Sequence, residues 1–250
     1  MRYFIKLSYN GGAYHGWQIQ PDAISVQEVL EKALSTLLNK SISIMGAGRT
    51  DTGVHAIEMY AHFDVDVDLK GLNLVYKLNS FLPKDIAVYK VFKVQEDAHA
   101  RFHATSRMYL YRIGLAKNVF TFNNVFFVKQ ELDVDKMNEA AKILFQYKDF
   151  QCFSKTNTDV KTYNCDIMKA EWFLKNDELH FVIKANRFLR NMVRAIVGTM
   201  INVGLGKINV EDLHNIIASK SRSEAGFSVP AHALYLTKIE YPDYIKNIDE

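Results

Sequence analysis

Gly46-Ala47-Gly48-Arg49-Thr50-Asp51-Thr52-Gly53-Val54-His55-Ala56 sets one carboxylate in a glycine-rich stretch, with an arginine two positions before it and a threonine on each side. Glycine permits backbone angles that other residues resist. Asp and Thr favour local bonds from side chain to backbone over helix or strand. The stretch therefore reads as a tight loop holding one acid beside one guanidinium. On local chemistry alone two readings stand: a structural turn with an Asx-type hydrogen bond, and a loop that presents a reactive acid.

Outward from the loop, the chain alternates strands and helices. Ser41 to Met45 reads as a short strand entering it, and Met59, Ala61, Phe63, Val65 and Val67 alternate with polar residues as a strand leaving it. Tyr3, Ile5, Leu7 and Tyr9 alternate with Arg2, Phe4, Lys6 and Ser8, the pattern of a half-buried strand. A glycine-rich loop with two aromatics, Asn10 to Pro21, follows it. Ser25 and Glu28 then have capping-box spacing ahead of the helical stripe Val26, Val29, Leu30, Ala33, Leu34, Leu37 and Leu38. A short helix over Leu72 to Leu78 and a strand over Ile86 to Val94 complete the first half. The second half predicts a strand near Met108 to Leu115 and a helix near Asp135 to Phe145 capped by Asp133. Strands near Ile167 to Leu174 and Leu179 to Lys184 come next. A long helix over Phe188 to Val203, a short one over Val210 to Ala218 and a strand over Leu234 to Tyr241 end the chain. This mixture, never in strict βαβα alternation, predicts an α+β fold. Two similar halves of roughly 100–140 residues suit the length, with residues 94–107 as the crossing between them, though no sequence repeat proves duplication.

Composition narrows the function. The chain has 250 residues, 48% of them hydrophobic and 24% charged, as in ordinary soluble domains. No apolar run approaches a membrane span. The chain starts directly in strand-like sequence, so no signal peptide is expected. Cys152 and Cys165 make no CxxC pair and read as inert thiols in a reducing cytosol. Net charge is +3, compatible with an RNA partner without arguing for one. His99 and His103 are four apart without helical support, and no Cys or His cluster has zinc spacing, so no metal is expected. Phosphate-binding glycine loops and a GxSxG elbow are missing as well.

Acids, arginines and aromatics remain. Arg101, Arg107 and Arg112 lie in or beside residues 98–112, where Tyr109 and Tyr111 share one face of the expected strand. The pair is either half-buried core or a platform on which a base can stack. On the long helix, Arg187, Arg190 and Arg194 are spaced to form a ridge opposite the apolar stripe Leu189, Met192, Val193, Ile196 and Met200. Such a ridge is either a solvated face or a set of phosphate or carboxylate contacts.

Together these segments resemble the tRNA pseudouridine synthase A family over essentially the whole chain. The loop is similar to that family's Ala-Gly-Arg-Thr-Asp-Ala-Gly-Val-His motif, with Thr52 in place of the usual alanine. Supporting matches are Tyr14-His15-Gly16-Trp17-Gln18, Ser25-Val26-Gln27-Glu28, Phe81-Leu82-Pro83, His99-Ala100-Arg101-Phe102, Ser106 to Tyr111, Phe188 with Asn191 to Arg194, and Leu234-Tyr235-Leu236. The resemblance implies two ferredoxin-like halves, 1–103 and 104–250, forming one central, mostly antiparallel sheet flanked by helices, with the active-site cleft between the halves. It implies a cytoplasmic homodimer with no cofactor and no metal. Its reaction is the isomerisation of uridine to pseudouridine at positions 38, 39 and 40 in the anticodon stem-loop of tRNA. By resemblance Asp51 is the nucleophile, attacking the ribose C1′, acting through a glycal path or adding to the uracil C6. Arg194 pairs with it, Arg49 fills the space left by the extruded base, Tyr109 stacks on the target base and Leu234 lines the uracil pocket. Arg101, Arg107 and Arg190 are the remaining expected RNA contacts. Two departures, His232-Ala233 where the family often has Glu-Gly and Asn191 where it often has histidine, touch the pocket rim and the RNA face. Two other readings use the same residues: an RNA-binding module without catalysis, and an unrelated α+β enzyme acting on a small substrate.

Overall fold

The computed structural model describes residues 1–156 and 160–245. The chain forms two compact units, Met1–Thr105 together with the chain from Leu236 on, and Ser106–Tyr235. The class is α+β, as the irregular mixture of strands and helices predicts, and the pairing is mostly antiparallel, as the resemblance implies.

In the first unit the order is β1 (Arg2–Tyr9), α1 (Val26–Leu38), β2 (Met45–Gly46), β3 (His55–Asp64), α2 (Leu74–Phe81) and β4 (Ile86–Val94). The strands lie β4-β1-β3, with β2 on the far side of β3, the order of a ferredoxin-like half. β1 is antiparallel to both neighbours, with Ile5 opposite Ala61 and Val91. It is less amphipathic than its alternation predicts. Phe4, on the face expected to be polar, is 1% exposed and packs against the rings of Phe92, Tyr241 and His62. α1 begins where the capping signal puts it: Ser25 Oγ accepts the Glu28 N–H at 3.2 Å. The strand expected over Ser41 to Met45 shrinks to β2. Ile42 and Ile44 are buried, but their N–H groups donate to Ser35 Oγ and Glu31 Oε1 of α1 at 2.9 Å each. Side chains thus replace the strand partner.

The second unit holds β5 (Ser106–Gly114), β6 (Phe126–Phe127), α3 (Val134–Ile143), β7 (Ile167–Lys175), β8 (Glu178–Ala185), α4 (Met192–Gly204) and α5 (Asp212–Ser219). The last strand, β9 (Leu234–Glu240), starts in this unit and runs into the first. β8 pairs antiparallel with β5 and with β7, while β6 adds a short parallel bridge to β5. Asp133 caps α3 through the Lys136 N–H. Trp172 of β7 stacks on Phe181 of β8 at 4.6 Å, and its indole N–H meets the Met200 sulfur of α4.

α4 departs from expectation at its start. Asn191 sits at φ 68°, a left-handed conformation that no helix interior holds, so the helix begins at Met192 and not near Phe188. Its surroundings differ too. Only Arg194 and Asn202 of its residues are not fully buried. The expected basic ridge therefore does not form: Arg187 and Arg190 precede the helix, and Arg194 is the single charged residue on an otherwise apolar or uncharged helix.

Candidate active site

In the first unit, the loop between β2 and β3 is tethered on both sides of Asp51. Ala47 N–H donates to the Tyr60 carbonyl at 2.8 Å, and Gly53 N–H to the Tyr14 carbonyl at 3.3 Å. Val54 N–H closes a turn onto the Asp51 carbonyl at 3.1 Å. Thr50, immediately before the acid, is buried and doubly held. Its carbonyl accepts the Trp17 N–H at 3.3 Å, and its Oγ1 lies 2.9 Å from the Tyr9 hydroxyl. Gly16, at φ 86°, must be glycine here, since a Cβ would overlap that same carbonyl. The result is a half-buried Asp51 between an exposed Arg49 and an exposed Thr52, on a backbone fixed from below. The Tyr14 to Trp17 segment is therefore a support for the loop. It is itself anchored: the Tyr14 hydroxyl donates to Asp85 Oδ1 at 2.6 Å, and burial followed by that carboxylate pushes its pKa well up.

The second unit gathers a different set. Tyr109 of β5 is half-buried and meets Phe188 edge-on at 5.2 Å between centroids. Tyr111, on the same face, is fully buried and donates its hydroxyl to the Pro230 carbonyl at 2.9 Å. Burial raises the Tyr111 pKa strongly, with Arg194 as the opposing positive neighbour. So the two tyrosines do not form one exposed platform; Tyr109 alone has the exposure to stack on a base. Arg194 and Val229 bind reciprocally: Arg194 Nε donates to the Val229 carbonyl at 2.7 Å, and Val229 N–H to the Arg194 carbonyl at 3.3 Å. Leu234 is buried at the start of β9.

The other arginines divide. Arg101 is exposed, with its guanidinium 5.6 Å from the centroid of Phe102, itself 72% exposed. Arg190 is exposed ahead of α4. Arg107 is half-buried and donates to the Asn186 carbonyl at 2.9 Å. Arg112 is committed to Glu178 through a two-bond fork at 2.8 and 2.6 Å, and it lies over the Tyr235 ring. Its pKa rises and that of Glu178 falls, each chiefly through the hydrogen bonds between them. Both cysteines are buried and unpaired, and burial pushes Cys152 up to about 12 and Cys165 to about 11, as inert thiols require. Among the described residues, no group of three His, Cys, Asp or Glu side chains is placed to hold a metal ion. No helix among them is long and apolar enough to cross a membrane.

Sequence reasoning missed the supports. Tyr9 closes an alternating strand and reads as core, and its hydroxyl partner lies 41 residues away, where no local spacing encodes it. Gly16 and Trp17 stand out in the sequence as parts of a glycine-rich aromatic loop, but nothing local marks them as partners of Thr50.

The profile of one family, described as tRNA pseudouridine synthase, matches residues 7–103 and 140–242. Curated relatives extend the similarity over the full length. A protein of Bacteroides fragilis named tRNA pseudouridine synthase A is 53% identical over 98% of this chain and 98% of its own. One of the same name from Parabacteroides distasonis is 50% identical over 100% and 99% of the two chains. A more distant one, from Thermoanaerobacter pseudethanolicus, is 41% identical over 95% and 98%.

Proposed function

The chain belongs to the tRNA pseudouridine synthase family, an isomerase family, and from that premise we propose that it converts uridine to pseudouridine at positions 38, 39 and 40 in the anticodon stem-loop of tRNA, with Asp51 as the nucleophile. The observation that carries this reading is the Asp51 loop. One half-buried acid follows a buried threonine that is held through both its carbonyl and its hydroxyl, and an exposed arginine stands two positions away.

The reaction has few requirements. The bond from uracil N1 to ribose C1′ breaks, the base turns while held, and a bond forms from C1′ to C5. The C5 proton then leaves and N1 regains one, so the product is an isomer and no external reagent is consumed. A carboxylate nucleophile splits this into easier steps through a covalent intermediate, by C1′ attack or C6 addition, while a glycal path uses the same acid as a base. Arg194 is the natural partner of such an acid, since a guanidinium holds a carboxylate ionised and oriented. Its helix carries no other charge, and the Val229 carbonyl fixes its Nε. Tyr109 supplies the ring that stacks on the target base, and Leu234 an apolar wall for the uracil. Arg49 fills the gap left by the extruded base, an extrusion that costs a few kcal/mol of unstacking. Arg101, Arg107 and Arg190 contact the RNA backbone. The enzyme acts in the cytoplasm as a homodimer without cofactor or metal.

The test uses tRNA labelled with tritium at uridine C5. Wild-type protein releases tritium to solvent. Asp51→Asn and Asp51→Ala release none, while filter binding shows tRNA affinity retained within a few-fold. Wild-type protein that releases no tritium at saturating tRNA overturns the activity. An active Asp51→Ala overturns the role of the acid.

A further inference from the structure

The segment that holds Arg194 is itself held by a residue outside the proposed machinery. Residues 225–229 run against α4 so closely that both sides need glycine: a Cβ on Gly198 would overlap the Phe227 carbonyl, and one on Gly226 would sit 2.5 Å from the Thr199 nitrogen. Thr199 Oγ1 accepts the Gly226 N–H at 2.8 Å while donating to the Ala195 carbonyl at 2.9 Å. Arg222 also engages this segment through its guanidinium. Nη1 donates to the Gly226 carbonyl at 2.9 Å, and Nη2 to Ser228 Oγ at 2.8 Å. Ser228 Oγ also accepts from Asn191 Nδ2 at 2.8 Å, at the residue that starts α4. Next in the chain, Val229 makes the reciprocal bonds with Arg194.

We propose that Arg222 is a positioning residue for the reaction, aiming Arg194 by pinning residues 226–228 so that the Val229 carbonyl captures Nε. This rests on Arg194 being the partner of the acid. Three of its features make arginine the fit residue. The planar fork reaches two acceptors in different directions, the charge-assisted bonds outlast competition from water, and the guanidinium loses little entropy on ordering. An error of about an ångström at a catalytic group costs on the order of a hundredfold in rate, so a support at one remove should be visible in kcat.

The experiment measures kcat by tritium release and tRNA affinity by filter binding for Arg222→Gln, Arg222→Lys, Arg194→Lys and the double variant Arg222→Gln/Arg194→Lys. The expected result is a kcat about tenfold to a hundredfold lower for Arg222→Gln, with tRNA affinity within about twofold of wild type. Arg222→Lys, which keeps the charge but only one donor nitrogen in place of the fork, should fall between. The double variant should be no slower than Arg194→Lys alone, because one residue acts through the other. A wild-type kcat for Arg222→Gln beside an impaired Arg194→Lys overturns this proposal alone. So does a loss confined to affinity, or one fully additive with that of Arg194→Lys. A fully active Arg194→Lys overturns the reading of Arg194 itself. Should Arg222→Gln not fold, Ser228→Ala, which removes one acceptor and no charge, carries the same expectation and the same overturning result.

Discussion

His62 is buried on β3, and its Nδ1 accepts the Ala100 N–H at 3.2 Å, which requires a ring nitrogen without a proton. Burial first, then the neighbouring His99 and Arg2, lower its pKa from 6.5 to about 4, against a smaller upward pull from Asp64. The unfolded chain therefore binds a proton in this window that the native chain does not. Stability should be intact above about pH 6.5, fall as pH drops toward 4, and lose nothing more from this group below that. Thermal midpoints measured across the range should show this slope, and His62→Asn, which keeps an acceptor but cannot titrate, should flatten it. An equal slope in both proteins sinks the assignment. The same residue-level view explains what the sequence could reveal of the site. Asp51 stands out because glycine, threonine and arginine surround it within a few positions. Tyr9 and Trp17 do not, because each acts on a partner brought near by folding and looks like ordinary core, while Arg222 bonds to Gly226 and Ser228 close by in the chain but matters only through the α4 against which that segment folds.

α4 is the element on which periodicity and fold disagree most. Its apolar stripe was legible, but a helix buried on nearly all sides leaves no polar face for a periodic pattern to mark. Its start was misplaced because Asn191 adopts a left-handed conformation that nothing in the composition of residues 188–191 announces. By contrast, β1 and β4 have the bounds expected of them, Arg2–Tyr9 and Ile86–Val94, and α1 and α3 start at the caps Ser25 and Asp133. Local patterns and local hydrogen bonds fixed those ends. Gly198 tests how tightly α4 is packed. In an isolated helix, alanine there would stabilise by about 1 kcal/mol. Here the added Cβ meets the Phe227 carbonyl, which is backbone and cannot rotate away. Gly198→Ala should therefore destabilise by about 1–3 kcal/mol, the usual cost of overpacking. Urea unfolding should show a lower midpoint at unchanged slope. A midpoint at or above that of wild type means that residues 225–229 yield easily, and the packing argument fails.

For the whole molecule, charge decides how tRNA is met. The sum is small: 31 Lys and Arg against 28 Asp and Glu leave +3. Several cations are also spent internally, among them Arg2 on Asp64, Lys6 on Glu58, Lys40 on Asp66 and Arg112 on Glu178. Attraction of a polyanion then depends on where the exposed cations cluster, Arg101 and Arg190 among them, a distribution that net charge does not reveal. Each phosphate contact releases condensed counterions, so affinity should fall as salt rises, with a logarithmic slope that counts the contacts. Arg101→Gln and Arg190→Gln should each flatten that slope by about one. Arg112→Gln should leave it unchanged, since its fork is already closed on Glu178, and should instead destabilise the fold by about 1–3 kcal/mol through the lost charge-assisted bonds. Filter binding of tRNA at a series of salt concentrations measures all three. An affinity indifferent to salt removes the phosphate contacts altogether, and a slope that flattens for Arg112→Gln alone moves the RNA face from the exposed arginines to β5.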